Sequence, residues 1–179
     1  RMADLSLLLE LNRRLMEVED LARGLPEVAR ALERATTASA VRLLIPGPGG
    51  SLRVFIPVGE AAPEPMDHAC WERIDGRTEP IWISPEVCPA ELPSVLRSER
   101  APQVLGIFPI CLGEETVGAA WLAFPFSHRT DSSERQLTRL ILSQAAVFIA
   151  RARLYEAITA ERERLRAVLE CSPDPLMLV

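Results

Sequence analysis

Lysine is missing from this chain of 179 residues: all 20 basic residues are arginine. That absence excludes Schiff-base catalysis and a phosphate loop built on a lysine amine. Histidine is almost as scarce, with only His68 and His128. A serine or cysteine nucleophile would therefore have few bases to draw on, and no motif surrounds either histidine. No catalytic residue is assigned. Apolar runs are short, as in Ala145-Ala146-Val147-Phe148-Ile149-Ala150, against the roughly 20 residues a membrane helix requires. The start of the chain has no basic and apolar leader. These features predict a cytoplasmic protein without direct membrane contact.

Paired cysteine spacings are also lacking. Cys70, Cys88, Cys111 and Cys171 lie far apart, unlike a zinc ribbon or a redox pair, so reduced thiols and no metal site are expected. The arginines are interspersed with 25 acidic residues at a net charge of −5. They form no basic stripe, and a nucleic-acid partner is not expected.

What is present suffices for a core, at 48% hydrophobic residues. A first helix is predicted over about Asp4 to Arg23. Its Leu8, Leu11, Leu15 and Val18 recur at the alternating three- and four-residue spacing of a coiled-coil seam. Gly24 reads as the helix stop, and Pro26 as a first-turn position of a second helix through Val28, Ala29, Leu32 and Ala35. A hairpin follows, Ala40 to Ile45 and Leu52 to Val58, around Pro46-Gly47-Pro48-Gly49-Gly50. Alternation places Leu52, Val54, Ile56 and Val58 on one face, with Arg53 and Phe55 on the other.

The proline-rich middle, Gly59 to Pro102, predicts short helices near Asp67 to Ile74 and Glu91 to Ser98, with a strand at Pro80 to Ile83 between them. A second hairpin joins Val104–Leu112 to Thr116–Phe124, and Pro109 in its first arm suggests an edge or a bulge. A single long helix then runs to Ser172-Pro173, entered through a capping box of Ser133 and Gln136. Its early part is broadly apolar and must cover the sheet. Its later part narrows to Leu154, Ile158, Glu161, Leu165 and Val168, a seam that needs a partner. Glu161, together with Arg151 earlier in the helix, is expected to keep that seam marginal. The pattern as a whole predicts an α+β fold: a central antiparallel sheet flanked by helices, with long N- and C-terminal helices.

Two resemblances sharpen this reading. The stretch Leu105-Gly106-Ile107-Phe108-Pro109-Ile110, then Val117-Gly118-Ala119-Ala120-Trp121-Leu122-Ala123-Phe124, resembles the closing hairpin of GAF domains. So do its continuation from Asp131-Ser132-Ser133-Glu134 to Ala150-Arg151-Ala152-Arg153-Leu154 and the phrase Arg77-Thr78-Glu79-Pro80-Ile81-Trp82-Ile83. The run from Glu161 to Glu170, followed by Ser172-Pro173-Asp174-Pro175-Leu176, resembles the lead-in to a PAS domain. Together they imply four parts: an N-terminal coiled-coil helix (1–25), a GAF domain (26–153), a signalling helix (154–171) and the start of a PAS-like domain (172–179). Bacterial proteins of this order are commonly sensor histidine kinases or related regulators.

The GAF resemblance implies a ligand pocket between the sheet and the irregular middle, here walled by His68, Cys70, Trp71, Trp82 and Cys88. On a helix, His68 and Cys70 point in different directions, so only one can face inward. A solvated histidine, a buried thiol and packed tryptophans account for the same residues. Arg42 and Arg53 could reach an anionic ligand or stand on an exposed sheet face. The cyclic-nucleotide phosphodiesterase signature is absent. Trp71, not histidine, follows Cys70, unlike bilin-attaching members.

The expected function is that of a non-enzymatic sensory domain. It would bind an unknown small molecule, require no particular cofactor, and relay a signal as a homodimer joined through Leu8, Leu11, Leu15, Val18, Leu154, Ile158, Leu165 and Val168. The alternatives are a structural dimerisation module with an empty pocket, or a free methionine sulfoxide reductase, whose loop motifs find no counterpart here.

Overall fold

The computed structural model of the chain describes residues 2–84, 103–125 and 131–171. Helices α1 (Met2–Met16) and α2 (Leu21–Ala35) are followed by β1 (Ala40–Pro46), β2 (Leu52–Ile56), β3 (Gly59–Ala61) and α3 (Pro65–Ile74). Strands β4 (Ile81–Ile83), β5 (Gln103–Leu112) and β6 (Glu115–Pro125) then lead into α4 (Ser132–Glu170). The expected helix near Glu91 to Ser98 and the PAS-like start at 172–179 lie outside the described residues.

All six strands form one antiparallel sheet in the order β3-β2-β1-β6-β5-β4. The α+β architecture expected from the pattern is the observed one. Alternation along the strands feeds two cores. On one face Leu43, Phe55, Ile110 and Leu122 pack under α1, α2 and α4. On the other Leu44, Val54, Ile107 and Ala119 pack under α3. Pro109 pairs with Ala119 of β6, one residue before a register shift at Ile110/Cys111, and β4 pairs β5 only at residues 105–107. The proline thus occupies a stretch where β5 has no β4 partner to supply with an N–H.

Three local expectations are corrected. First, the initial helix stops at Met16, because Asp20 caps a new one by accepting a hydrogen bond from the Arg23 N–H at 2.9 Å. Gly24 and Pro26 therefore lie inside α2. Gly24 is needed for closeness, since a Cβ there would fall 2.0 Å from the Phe148 Cζ of α4. Second, α4 is capped by Asp131, which accepts from the Glu134 N–H at 2.7 Å, in place of the expected Ser133–Gln136 box. Third, the α1 seam is consumed within the chain. Leu11 and Leu15 are 3% and 4% exposed, and Leu8 and Val18 pack against the same core. The physical reason is that α2 and α4 lie beside α1 and offer the apolar partner that a coiled coil would otherwise supply.

What α1 leaves outside is a different stripe: Met2, Leu5, Leu9 and Met16 are exposed. Along α4 the last buried residue is Ala152. Arg153 still donates to the Pro46 and Val117 carbonyls of the sheet, at 3.2 and 3.3 Å, and from Leu154 to Glu170 roughly 24 Å of helix is exposed on every side.

Candidate functional site

The α3 side of the sheet is organised around one carboxylate. Pro65 opens α3 in the first turn, and Asp67 follows in the same turn with its side chain fully buried. Its Oδ1 accepts from Arg42 Nε at 2.9 Å and from Trp121 Nε1 at 2.7 Å. Its Oδ2 accepts from Arg42 Nη2 at 2.6 Å and from the Glu64 N–H at 2.8 Å. An ionised carboxylate offers about four acceptor positions, and all four are used. Arg42 and Trp121 are cross-strand partners on β1 and β6, with the guanidinium 5.9 Å from the indole centroid. Arg42 also donates to the Ala62 carbonyl at 3.1 Å. Its hydrogen bonds to Asp67 raise its pKa further. Asp67 thus ties β1, β6 and α3 together.

Cys70 lies one turn further along α3 and is buried. Burial, then the Asp67 charge, pushes its thiol up to about 12. A thiol held protonated in this way is a poor nucleophile and a poor metal ligand at neutral pH. Among the described residues no group of three or more histidine, cysteine, aspartate or glutamate side chains is placed to hold a metal ion.

The residues expected to wall a pocket do not all meet. Cys70 points inward, Trp71 packs half-buried against the same cluster, and His68 on the intervening helical face is exposed. Cys88 lies outside the described residues. Trp82 is a correction, for it stands on the opposite face of the sheet. In the short β4, Ile81 and Ile83 take the α3 side, and alternation sends Trp82 to the other. There its ring centroid is 5.4 Å from that of Phe108 and 5.7 Å from that of Phe124. Its cross-strand partner Gly106 leaves room for it, as a Cβ there would lie 3.0 Å from the Trp82 ring.

Arg42 is not on an exposed face either, because Asp67 draws it under α3. Arg53, by contrast, pairs with Glu60 at 2.8 Å on the helix-covered side. No sequence pattern singles out Trp121 or Asp67 as partners of Arg42. The available signal was an arginine among apolar strand residues, with an aspartate two residues after the helix-opening Pro65.

The outer part of α4 presents an apolar line with no described residue of its own chain packed against it. Leu154, Ile158, Leu165 and Val168 are 65%, 49%, 53% and 64% exposed. The line extends backwards through the exposed Val147 and Leu140, keeping seven-residue intervals from Leu140 to Val147 to Leu154. Arg151, expected to weaken this seam, turns inward instead. Its Nη2 donates to the carbonyls of Leu15 and, at 3.1 Å, of Val18, closing the end of α1.

This combination of six-stranded antiparallel sheet, three helices on one face and α3 on the other is the fold of GAF domains. The similar structures bear this out. One is the GAF domain of a phosphoenolpyruvate-protein phosphotransferase from Coxiella burnetii, with a TM-score of 0.65 at 20% identity over 87% of this chain and 98% of that one. The GAF domain of a two-component sensor histidine kinase from Bacillus halodurans aligns with a TM-score of 0.59 at 12% identity, over 78% and 99% of the two chains. A GAF domain/HD domain protein from Geobacter sulfurreducens gives 0.58 at 13% identity, over 79% and 99%. No family sequence model matches the chain, and no curated protein sequence does. No helix among the described residues is long and apolar enough to cross a membrane.

Proposed function

We propose that the chain is a sensory or regulatory domain without catalytic activity of its own, working as a homodimer that transmits its state through α4 to an output domain such as a histidine kinase. The observation that carries this reading is the line Leu154, Ile158, Leu165 and Val168, exposed on a helix that has already left its own core. Apolar residues at that spacing are stabilised by a second helix packing knobs into holes. The exposed Met2, Leu5, Leu9 and Met16 of α1 belong to the same proposed interface, in place of the seam already used inside the fold.

The ligand side in this reading is the α3 face. A small polar molecule would act by competing for Arg42 or Asp67, and so by loosening α3 from the sheet. Coupling between that face and the rod would then be a difference in affinity between two helix arrangements. The saturation of Asp67 by its own chain favours a second reading, a dimerisation module with a filled pocket.

Light scattering on a sizing column, with native mass spectrometry, tests both. A dimer that becomes a folded monomer on Leu154→Asp/Ile158→Asp substitution is the expected result. A monomer at every concentration would overturn the transmitter reading. A dimer that retains no small molecule and gains no stability from any cellular extract fraction would select the second.

A further inference from the structure

The face of the sheet turned away from α3 has a hollow of its own. A cleft of about 310 Å³ opens between the β4–β5 edge and the first turns of α4. Its floor is aromatic and apolar, formed by Trp82, Phe108, Pro80 and Pro109. Its α4 wall carries Arg135 and Arg139, four residues apart and so on one side of the helix.

Two features distinguish this hollow from ordinary surface relief. Trp82 leaves 38% of its area in contact with solvent although Phe108 and Phe124 hold its ring in place. An amphipathic ring fixed at the mouth of a cleft in this way is a ready stacking surface. The second feature is electrostatic. Several arginines of this acidic chain are held by carboxylates: Arg13 and Arg14 by Glu10, Arg42 by Asp67, Arg53 by Glu60. Arg135 and Arg139 make no ion pair among the described residues, and Glu79, which also lines the cleft, is paired with neither. Two unengaged guanidinium groups beside an aromatic floor match a carboxylate attached to a flat ring, one end of which is held bidentately while the other stacks. The volume suits a small molecule of one or two rings, at the lower end of the range for such sites.

We propose that this cleft is a second ligand site, on the sheet face opposite α3, for a small planar aromatic carboxylate. Arg135 and Arg139 bind its anionic group, and Trp82 and Phe108 its ring. The site is independent of the α3-side reading and of dimerisation through α4.

The probe pair is 2-naphthoate and its uncharged counterpart 2-naphthylmethanol, titrated into the full chain by calorimetry, with ligand-detected NMR as a second readout. Saturable binding of 2-naphthoate is expected, with the alcohol at least about tenfold weaker. Arg135→Gln/Arg139→Gln should weaken the acid by about tenfold or more and leave the alcohol unchanged. Trp82→Leu should weaken both. Arg162→Gln/Arg164→Gln, on the exposed rod, is the control and should change neither. Circular dichroism of each variant ensures that the comparison is between folded proteins. Failure of 2-naphthoate to bind, equal binding of acid and alcohol, or full binding by the Arg135→Gln/Arg139→Gln variant would each overturn the proposal. Because the substitutions lie away from Leu154 and Ile158, a dimer that persists while binding is lost separates this result from any failure of the transmitter reading.

Discussion

The Phe148 ring of α4 lies directly against the Cα of Gly24 in α2, so close that a β-carbon on Gly24 would fall 2.0 Å from ring atom Cζ. The two helices meet at this point because Gly24 has no side chain to hold the Phe148 ring away. Gly24→Ala, which improves helix propensity elsewhere, should here destabilise the chain by about 1–3 kcal/mol through overpacking. Gly24→Ala with Phe148→Leu should recover part of the loss. Urea unfolding of the three variants checks both expectations, and a stabilised Gly24→Ala would contradict this helix crossing.

The buried ion pair should respond asymmetrically to mutation. Asp67→Ala leaves Arg42, the Trp121 N–H and the Glu64 N–H without their acceptor, and should cost about 3–5 kcal/mol. Replacing both charged partners with apolar residues of similar size, Arg42→Met/Asp67→Leu, should restore much of that loss. Chemical denaturation of the single and double variants measures the difference.

Thiol chemistry should rank the cysteines by environment. With its pKa pushed from 9.0 to about 12, Cys70 should resist alkylation at pH 8, whereas the exposed Cys171 should react readily. Peptide mapping by mass spectrometry distinguishes them. The raised value also carries a stability consequence. Below pH 9 the thiol is protonated in both folded and unfolded chains, so its contribution is fully present there; it is lost as pH rises from 9 towards 12, where only the unfolded chain readily releases the proton. Cys70→Ala should flatten that part of the stability curve.

The two sides of α1 should behave as opposites. Leu11→Asp places a charge in the core and should unfold the domain. Leu5→Asp/Leu9→Asp alters residues already in solvent, and should keep the fold while weakening self-association. Far-UV circular dichroism and sedimentation velocity read the two effects separately.

Arg151→Met should release the end of α1. Hydrogen bonds from a charged donor contribute about 1.5–3 kcal/mol, and Arg151 supplies them to Leu15 and Val18. Faster amide exchange confined to α1 is the expected signature, and unchanged exchange there would refute the role.

Much of the architecture was legible because strands and hairpins advertise themselves locally. Leu52 and Val54 alternate with Arg53 and Phe55 as the pleat demands, and the turn at Gly113 separates two uninterrupted β runs. The α1 seam misled because a three-four spacing states only that a helix has an apolar face. Whether α2 and α4 or another chain covers that face is a tertiary fact. Gly24 misled for a similar reason: a glycine serves a helix end or a helix crossing, and only the position of Phe148 distinguishes them. At the candidate site, His68, Cys70 and Trp71 were correctly assigned to one helix. Trp82 was displaced by the odd-even parity of a three-residue strand, and the Asp67 cluster joins residues from three distant segments. No local pattern reports such a meeting.

Arg151 also bears on how α4 can move. It belongs to α4, yet its guanidinium rests on the Leu15 carbonyl in the last turn of α1 and on the Val18 carbonyl just beyond that helix. Turning α4 about its axis by even a fraction of a heptad would withdraw that group and leave the last turn of α1 uncapped. If α4 turns as the proposed function requires, the end of α1 should fray with it, and a clamp on α1 should in turn hold α4 in place.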